Sequence, residues 1–353
     1  MLVHSSAQCE LAFTNDRYME DKMAKEDIIK EIRSRKRRMA ICYDFDKTLS
    51  PDDMQAFTLI PSLKMDKKEF WEESNELAKE NSMDKNLAWM YQLLTLSKAK
   101  RKSIKKEYFK EVGKSVPLYK GVEKWFDNVN RYGLKNNIEV EHYIISSGLK
   151  EIIEGSVIAD KFKRIYASSY LYSTDGVAEW PAQAINYTNK TQYIFRIAKG
   201  IFEEYDDRVN DSMSDSELYI PYENIVYIGD SATDIPCMRL VKSRGGYSIG
   251  VYDPDKQMKD NVYKLYGDGR LSFYTAADYS IKSELMTYMK TIIDEIATKE
   301  NIKTEQQILN INAGIYKMMD SIQSLPEKCG KTLPKKEQSQ ISKWSTELRK
   351  MLE

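Results

Sequence analysis

The chain has 353 residues, of which 42% are hydrophobic and 31% charged, so it can bury a sizeable core in one large domain or two smaller ones. Its 54 basic and 54 acidic side chains balance, which gives no reason to expect a nucleic-acid partner or a membrane surface. The start of the chain lacks the apolar core of a signal peptide, and no apolar run is long enough to cross a bilayer. We therefore predict a cytoplasmic protein without a membrane anchor.

The cysteines and histidines exclude further kinds of site. Four cysteines lie far apart without a Cys-x-x-Cys pair, which favours a reducing compartment over a disulfide framework or a zinc site. The only histidines are His4 and His142, so carboxylates must carry most proton transfer. Ser-His-Asp and Cys-His chemistry is not expected, and His142 is predicted to make a structural hydrogen bond.

Three short apolar runs predict strands of a parallel sheet. They lie at 39–43, 143–145 and 225–228 and are typical of strands buried on both faces. Helical patterns at 149–158 and 235–241 follow the second and third runs. This βαβ alternation predicts an α/β fold with a doubly wound parallel sheet, whose ligands bind at the carboxyl ends of the strands.

A long insertion, residues 52–116, follows the first predicted strand. It is rich in Lys, Glu, Met, Leu and Trp and poor in Gly, which predicts a small helical cap over the strand ends. Its aromatic residues Trp71, Trp89 and Tyr91 are expected in the core of the cap rather than in a substrate pocket.

The catalytic core is predicted to comprise residues 37–51 and 117–298, after an N-terminal segment, 1–36. A core helix begins near Gly121. Its apolar positions are spaced to face the sheet, and they are Val122, Trp125, Phe126, Val129 and Leu134.

Residues 299–353 are predicted to form a C-terminal helical hairpin. Apolar residues alternate steps of three and four on two helices: Ile308, Ile311, Ile315, Met318, Ile322 and Leu325, then Ile341, Trp344, Leu348 and Met351. Both seams are short for a coiled coil, which favours a hairpin folded onto its own domain. A homodimer formed through these helices is the alternative.

Polar residues follow the predicted strands in a regular order. In chain order these are Asp44, Asp46 and Thr48; Ser146 and its neighbour Ser147; Lys190 at a predicted helix start; and Asp230 and Asp234. An Asp-x-Asp pair alone often caps a helix or turns the chain. Chance rarely supplies all four elements in this order and structural setting, so the set indicates a catalytic site.

The set resembles the four signature motifs of the haloacid dehalogenase superfamily, over roughly residues 39–278. Within that superfamily, an aspartate two residues after the nucleophile is associated with phosphatases and phosphotransferases, so Asp46 implies phosphoryl transfer. The position of the insertion resembles the branch that includes phosphoserine phosphatases. Lys47 stands where many relatives carry glycine.

The resemblance implies a Mg²⁺-dependent phosphoric monoester hydrolase that acts on a small phosphorylated metabolite. Asp44 would attack phosphorus and form an aspartyl phosphate, while Asp46 would protonate the leaving group and then activate water. Mg²⁺ would bind the side chains of Asp44 and Asp230 and the backbone carbonyl of Asp46, because this hard cation prefers oxygen ligands. Asp234 would be a further ligand or a partner of the ligands.

Contacts with the substrate phosphate are assigned to Thr48, to Ser146 or Ser147, and to Lys190. Ser146 is favoured because it directly ends the strand, whereas Ser147 is also suited to capping the next helix. Lys190 is favoured over Lys199, which lies at the end of its predicted helix. Thr48 is also suited to fixing the first loop by hydrogen bonding.

Two other functions would use the same chain. A phosphotransferase would share every motif residue and replace water with an acceptor alcohol. A non-catalytic scaffold would bind a partner through the C-terminal helices, but a decayed site is expected to have lost at least one of the motif residues.

Overall fold

The computed structural model describes residues 26–57, 59–101, 104–256, 259–323 and 335–352. The chain divides into two compact units. One is Arg37–Ile296, and the other combines Met1–Lys36 with Ala297–Glu353, as far as these are described. Within the described ranges, no helix has both the length and the apolar character needed to cross a membrane.

A seven-stranded sheet forms the centre of the larger unit, and the prediction of a doubly wound α/β fold is confirmed. Its strands are β1 Arg37–Tyr43, β2 Ile138–Leu149, β3 Arg164–Tyr172, β4 Ala178–Gln183, β5 Ile225–Gly229, β6 Tyr247–Tyr252 and β7 Phe273–Ala276. Their spatial order is β4-β3-β2-β1-β5-β6-β7, and only β3 and β4 pair antiparallel. The strand order reverses between β1 and β5, which is where ligands bind in such folds.

Helices cover both faces of this sheet. The helices described in this unit are α2 Met54–Phe57, α3 Leu59–Ser62, α4 Lys67–Glu80, α5 Lys85–Ala99, α6 Lys106–Lys114, α7 Val122–Lys135, α8 Lys150–Gly155, α9 Lys190–Lys199, α10 Ile235–Ser243, α11 Asp260–Gly267 and the start of α12 Glu284–Gln323. Ala40 and Cys42 of β1 pack in one core cluster with α9 and α10. Tyr43 points to the opposite face and contacts Phe126 of α7, with ring centroids 5.8 Å apart.

The insertion after β1 contains the helices α2 to α6. Asp66 and Asp84 begin α4 and α5, because each side chain accepts hydrogen bonds from two backbone N–H groups of the first turn. Helix α6 packs closely on α8: a Cβ on Gly155 would lie 2.0 Å from the carbonyl oxygen of Lys110. The cap boundaries 52–116 stay a prediction.

Helix α7 begins after Gly121, as the sequence predicts, but one of its core positions was predicted wrongly. Val122, Trp125, Phe126 and Val129 are fully buried, whereas Leu134 is 71% exposed. The neighbouring Gly133 faces the sheet instead, where a Cβ would lie 2.5 Å from Val140. One residue further along a helix is a rotation of about 100°, which turns Leu134 towards solvent.

The smaller unit is helical. It contains α1 at 26–34, the part of α12 from Ala297 and α13 Lys335–Leu352. The buried apolar residues of α12 here include Ile308, Ile315 and Met319, whereas Met318 is exposed. Ile308 and Met319 are eleven residues apart, which is about three turns of a straight helix. Met318 therefore does not belong to the buried face within this unit, contrary to what a hairpin packed through the predicted seam requires.

The rest of the predicted hairpin is only partly described. The side chain of Ile322, together with Leu325 and the loop between α12 and α13, lies outside the described residues. A homodimer through these helices stays a prediction.

Candidate active site

Three predicted site residues lie at the same edge of the sheet. Strand β1 pairs in parallel with β2 and β5, so the carboxyl ends of all three strands meet. Asp44 and Asp230 directly follow β1 and β5, and Ser146 lies near the end of β2. The backbone N–H of Asp44 donates to the carbonyl of Ile228 at 3.0 Å, which fixes the nucleophile candidate to the neighbouring strand.

A tight turn after Asp44 orients Asp46. The carbonyl of Phe45 accepts hydrogen bonds from the N–H groups of Thr48, Leu49 and Ser50 at 2.9 to 3.3 Å. The turn brings Asp46 back to α2, where the N–H of Met54 donates to its Oδ1 at 2.8 Å. This hydrogen bond holds the carboxylate of Asp46, which does not belong to the group of carboxylates formed by Asp44, Asp230 and Asp234.

Lys190 lies between two of these carboxylates. Its Nζ is 3.2 Å from Asp44 Oδ2 and 2.8 Å from Asp234 Oδ1. Asp44, Asp230 and Asp234 each offer an oxygen within 4.8 Å of the others. Three negative charges thus face one ammonium group, which leaves the cluster with the charge and the oxygen donors that suit a hard cation.

Asp234 is held by groups that the sequence analysis did not identify. The hydroxyl of Tyr227 donates to its Oδ1 at 2.8 Å, and the N–H of Ser231 donates to its Oδ2 at 3.3 Å. A Cβ on Gly229 would lie 2.6 Å from Oδ2, so glycine is needed for this approach. The sequence could have indicated Tyr227, because a tyrosine in a strand predicted to be buried on both faces needs a hydrogen-bond partner for its hydroxyl.

Burial and repulsion from neighbouring carboxylates raise the pKa values of Asp44 and Asp230. The pKa of Asp44 is raised to about 6: burial is the largest cause, Lys190 opposes it, Asp234 adds to the rise, and the N–H of Phe45 opposes it. The pKa of Asp230 is well above its usual value, first because of burial and then because of Asp234 and Asp44. A bound cation would relieve the repulsion that both shifts report.

Asp46 also favours its protonated form. Burial raises its pKa well above the usual value, and the nearby carboxylates of Asp53 and Asp44 raise it further. A raised pKa favours the protonated carboxyl group, which is the form that a general acid needs.

The residues predicted to contact phosphate differ in their positions. Ser146 and Ser147 both line the site cavity, at a bulge where β2 shifts its register against β3. Ser146 Oγ accepts from the N–H of Gly148 at 3.1 Å. The choice between the two serines stays open.

The remaining phosphate candidates are engaged within the protein. Thr48 is fully buried, and its hydroxyl donates to Asp230 Oδ1 at 3.3 Å, which agrees with the loop-fixing role. Lys190 begins α9, as predicted, and points into the cluster. Lys199 instead donates to the carbonyls of Val209 and Asp211 at 2.7 and 2.6 Å.

A cavity of about 790 Å³ opens from the cluster towards the cap. Trp71 and Trp89 line it, although the sequence favoured the core for both, and Trp89 is also buried. Tyr91 is half-exposed and is not among the lining residues. The cavity walls therefore come from both the strand ends and the helices of the insertion.

An ion-pair network that the sequence did not predict joins the motif loop to α4. Lys47, with φ of 58°, lies with its Nζ 2.8 Å from Asp53. Lys67 of α4 is 3.4 Å from Asp53 and 2.6 Å from Asp52. These residues do not follow a helical or strand periodicity in the sequence, so their ion pairs can be identified only in the folded structure.

The comparison with protein families agrees with this arrangement. The model for haloacid dehalogenase-like hydrolases matches residues 41–239, more than half of the chain. The chain belongs to this family, so the family predicted from the four motifs is confirmed.

Individual relatives are distant. A protein of Borreliella burgdorferi described as uncharacterized is 25% identical over 278 residues, which cover 71% of this chain and 95% of the relative. A solved phosphoserine phosphatase with a phospho-aspartyl intermediate analogue is 15% identical, covering 72% of this chain and 99% of its own, with a TM-score of 0.44. Cytosolic 5'-nucleotidase IIIB bound to cytidine is 16% identical, covering 78% and 92%, with a TM-score of 0.44.

Proposed function

We propose that the protein is a Mg²⁺-dependent phosphatase that removes phosphate from a small phosphorylated metabolite through an aspartyl phosphate on Asp44. The observation that carries this proposal is the position of the Asp44 carboxylate. It lies at a strand end, next to a buried ammonium group and two further carboxylates, at the bottom of a cavity.

The donor set of the cluster fits magnesium. Asp44, Asp230 and Asp234 supply carboxylate oxygens that converge, and the backbone carbonyl of Asp46 is proposed as a further ligand. When bound, Mg²⁺ neutralises phosphate charge that would otherwise repel the nucleophile. Asp234, which already accepts hydrogen bonds from Lys190 and Tyr227, is suited to orient the other groups.

In the first half-reaction, a carboxylate oxygen of Asp44 attacks phosphorus and the bond from phosphorus to the ester oxygen breaks. Asp46 gives its proton to the departing alkoxide. In the second half-reaction, water attacks the phosphorus of the aspartyl phosphate and gives a proton to Asp46, while the bond from phosphorus to the Asp44 oxygen breaks. Inorganic phosphate leaves, and Asp44 is a carboxylate and Asp46 a carboxylic acid again. Lys190 and Ser146 or Ser147 would stabilise charge on the phosphoryl oxygens, while the cap limits access of bulk water.

Asp44→Asn tests the proposal directly. We expect the variant to lose at least 10³-fold in phosphate release from p-nitrophenyl phosphate with Mg²⁺, because an amide cannot form the phosphoenzyme. EDTA should abolish release by the unmodified protein. Asp206→Asn is the matched control, because Asp206 pairs with Arg208 and is not among the cavity-lining residues. Full activity of Asp44→Asn would rule out the mechanism.

A phosphotransferase and a hydrolase can be separated in one assay. The cavity volume of about 790 Å³ leaves room for an acceptor alcohol, so glycerol is added to the reaction with p-nitrophenyl phosphate. A hydrolase releases nitrophenol and inorganic phosphate in equal amounts. An excess of nitrophenol over phosphate, with glycerol phosphate formed, would favour the phosphotransferase.

A further inference from the structure

Gln55 is a buried side chain with an unused hydrogen-bond acceptor. The residue is 3% exposed and lines the active-site cavity. Its Oε1 is buried and accepts no hydrogen bond from the part of the chain that the structure describes. Buried polar atoms are nearly always paired, and an unpaired one destabilises the folded protein. A hydrogen bond from a bound ligand to Oε1 would explain why a glutamine occupies this position.

The chain places Gln55 beside the proposed general acid. It directly follows Met54, whose N–H binds Asp46 Oδ1 at 2.8 Å. The last residues of β2 approach the same point, since a Cβ on Gly148 would lie 2.3 Å from Met54 Cε and 3.1 Å from Asp46 Oδ2. In the proposed mechanism Asp46 protonates the ester oxygen of the substrate, which would place Gln55 towards the alcohol part of the ester.

A second unpaired group supports a polar ligand in this cavity. Trp71 of α4 lines the same space, and its indole Nε1 is buried without a hydrogen-bond partner among the described residues. Lys47 and Lys67 do not donate a hydrogen bond to Gln55 Oε1, and they form ion pairs with Asp52 and Asp53 instead. Among the described residues that line the cavity, Gln55 thus offers a buried unpaired acceptor and Trp71 a buried unpaired donor, and the hydroxyl of Tyr119 is also buried and unpaired.

On the basis of the proposed phosphatase function, we propose that Gln55 determines specificity by accepting a hydrogen bond from the alcohol part of the substrate. An amide oxygen can only accept, so the ligand must present a hydroxyl or an amino group close to the ester oxygen. The substrate class is therefore phosphomonoesters of alcohols with a neighbouring hydrogen-bond donor, rather than plain alkyl or aryl phosphates.

Three small esters test this proposal: 2-hydroxyethyl phosphate, 2-aminoethyl phosphate and ethyl phosphate. The ratio of kcat/KM between either donor-bearing ester and ethyl phosphate is measured for the unmodified protein and for Gln55→Leu, so that intrinsic reactivity cancels. For at least one of the two donor-bearing esters, we expect this ratio to be at least 10-fold lower in Gln55→Leu than in the unmodified protein. The ester affected identifies the donor as hydroxyl or amino. Equal ratios in both proteins for both esters would overturn the proposal.

Gln92→Leu is the matched control. Gln92 is also a buried amide, but its Oε1 accepts from the hydroxyl of Ser74 and its Nε2 donates to Glu73 at 2.8 Å. We expect Gln92→Leu to lower the unfolding midpoint and to leave the ester ratios unchanged. Gln55→Leu should instead keep or raise the midpoint, because it removes an unpaired buried oxygen. A ratio change of the same size in Gln92→Leu would also overturn the assignment.

Calorimetric binding separates this proposal from the proposed function. The three esters are titrated with Mg²⁺ into Asp44→Asn and into the double variant Asp44→Asn, Gln55→Leu, neither of which needs to turn over. Tighter binding of a donor-bearing ester only when Gln55 is present supports the specificity role, even if the unmodified protein releases no phosphate. Equal binding of all three esters to Asp44→Asn would overturn the specificity role, whatever the result for catalysis.

Discussion

The ammonium group of Lys190 lies 2.8 Å from the carboxylate of Asp234, and both side chains are completely buried. Lys190→Met would leave a cluster of buried carboxylates without its cation. We expect a loss of about 3–5 kcal/mol in the free energy of unfolding without Mg²⁺ and at least about 10²-fold in phosphate release. Denaturant titration and a phosphate assay measure the two effects.

Lys199→Met is the control for this change, because it removes a lysine from the same helix. The ammonium group of Lys199 donates to the backbone carbonyls of Val209 and Asp211, and Lys199 is not among the residues that line the cavity. Its removal should cost about 1 kcal/mol or less and leave phosphate release near normal. A comparable loss of activity in both variants would mean that Lys190 acts through helix stability rather than at the site.

Asp46→Asn should affect the two half-reactions differently. An alkyl phosphate needs protonation of its leaving group, so we expect kcat/KM to fall by about 10³-fold, whereas nitrophenolate leaves without help and should lose far less. In the proposed mechanism, hydrolysis of the aspartyl phosphate also needs Asp46 as a base. Stopped-flow measurement should therefore show a burst of nitrophenol close to the enzyme concentration.

The control for Asp46→Asn is Asp66→Asn, since Asp66 caps α4 and asparagine caps almost as well. It should behave like the unmodified protein in both assays. Equal losses for the alkyl and aryl esters in Asp46→Asn, without a burst, would contradict the acid and base role.

The sequence could predict that several polar residues lie close together, because parallel strands end at one edge of a sheet. Asp44, Asp46 and Asp230 follow buried apolar runs, and the geometry of the sheet then brings their strand ends together. Lys190 was harder to assign, since any lysine near a helix start would fit the same pattern. Its complete burial between two carboxylates appears only in the folded chain.

The groups around the cluster could not be predicted from the sequence. Gln55 lies on a four-residue helix, which is too short to show a periodic pattern. The pairing of Lys47 with Asp53 occurs in a loop where Lys47 has a positive φ.

The position of Leu134 on α7 was predicted wrongly, because helical spacing cannot show that the adjacent Gly133 fits against the sheet.

Gly155→Ala should destabilise the packing of α6 against α8. A Cβ at this position would lie 2.0 Å from the carbonyl oxygen of Lys110, so the two helices must separate. We expect the free energy of unfolding to fall by about 1–3 kcal/mol, as measured by denaturant titration.

Gly314→Ala is the opposite case, because nothing lies within 4 Å of a Cβ at that position in α12. It should stabilise the helix by about 1 kcal/mol. A neutral or stabilising effect of Gly155→Ala would contradict the close approach of α6 and α8.

His142 should make the stability depend on pH. Burial lowers its pKa to about 3, and the neutral ring suits its partners, since Asn130 Oδ1 accepts from Nε2 and the hydroxyl of Tyr43 donates to Nδ1, both at 2.9 Å. The unfolded chain binds a proton below about pH 6.5, whereas the folded chain does so only near pH 3. The contribution of His142 is therefore complete above pH 6.5 and falls by about 1.4 kcal/mol per pH unit below it.

Because the raised pKa values of Asp44, Asp46 and Asp230 act in the opposite direction, the effect of His142 is measured as a difference between variants. The difference in unfolding free energy between the unmodified protein and His142→Gln should shrink steadily from pH 6.5 to pH 4.5. Tyr43→Phe keeps the buried imidazole, so its difference from the unmodified protein should stay nearly constant over this range. A pH-independent difference for His142→Gln would show that the folded protein protonates His142 as readily as the unfolded chain does.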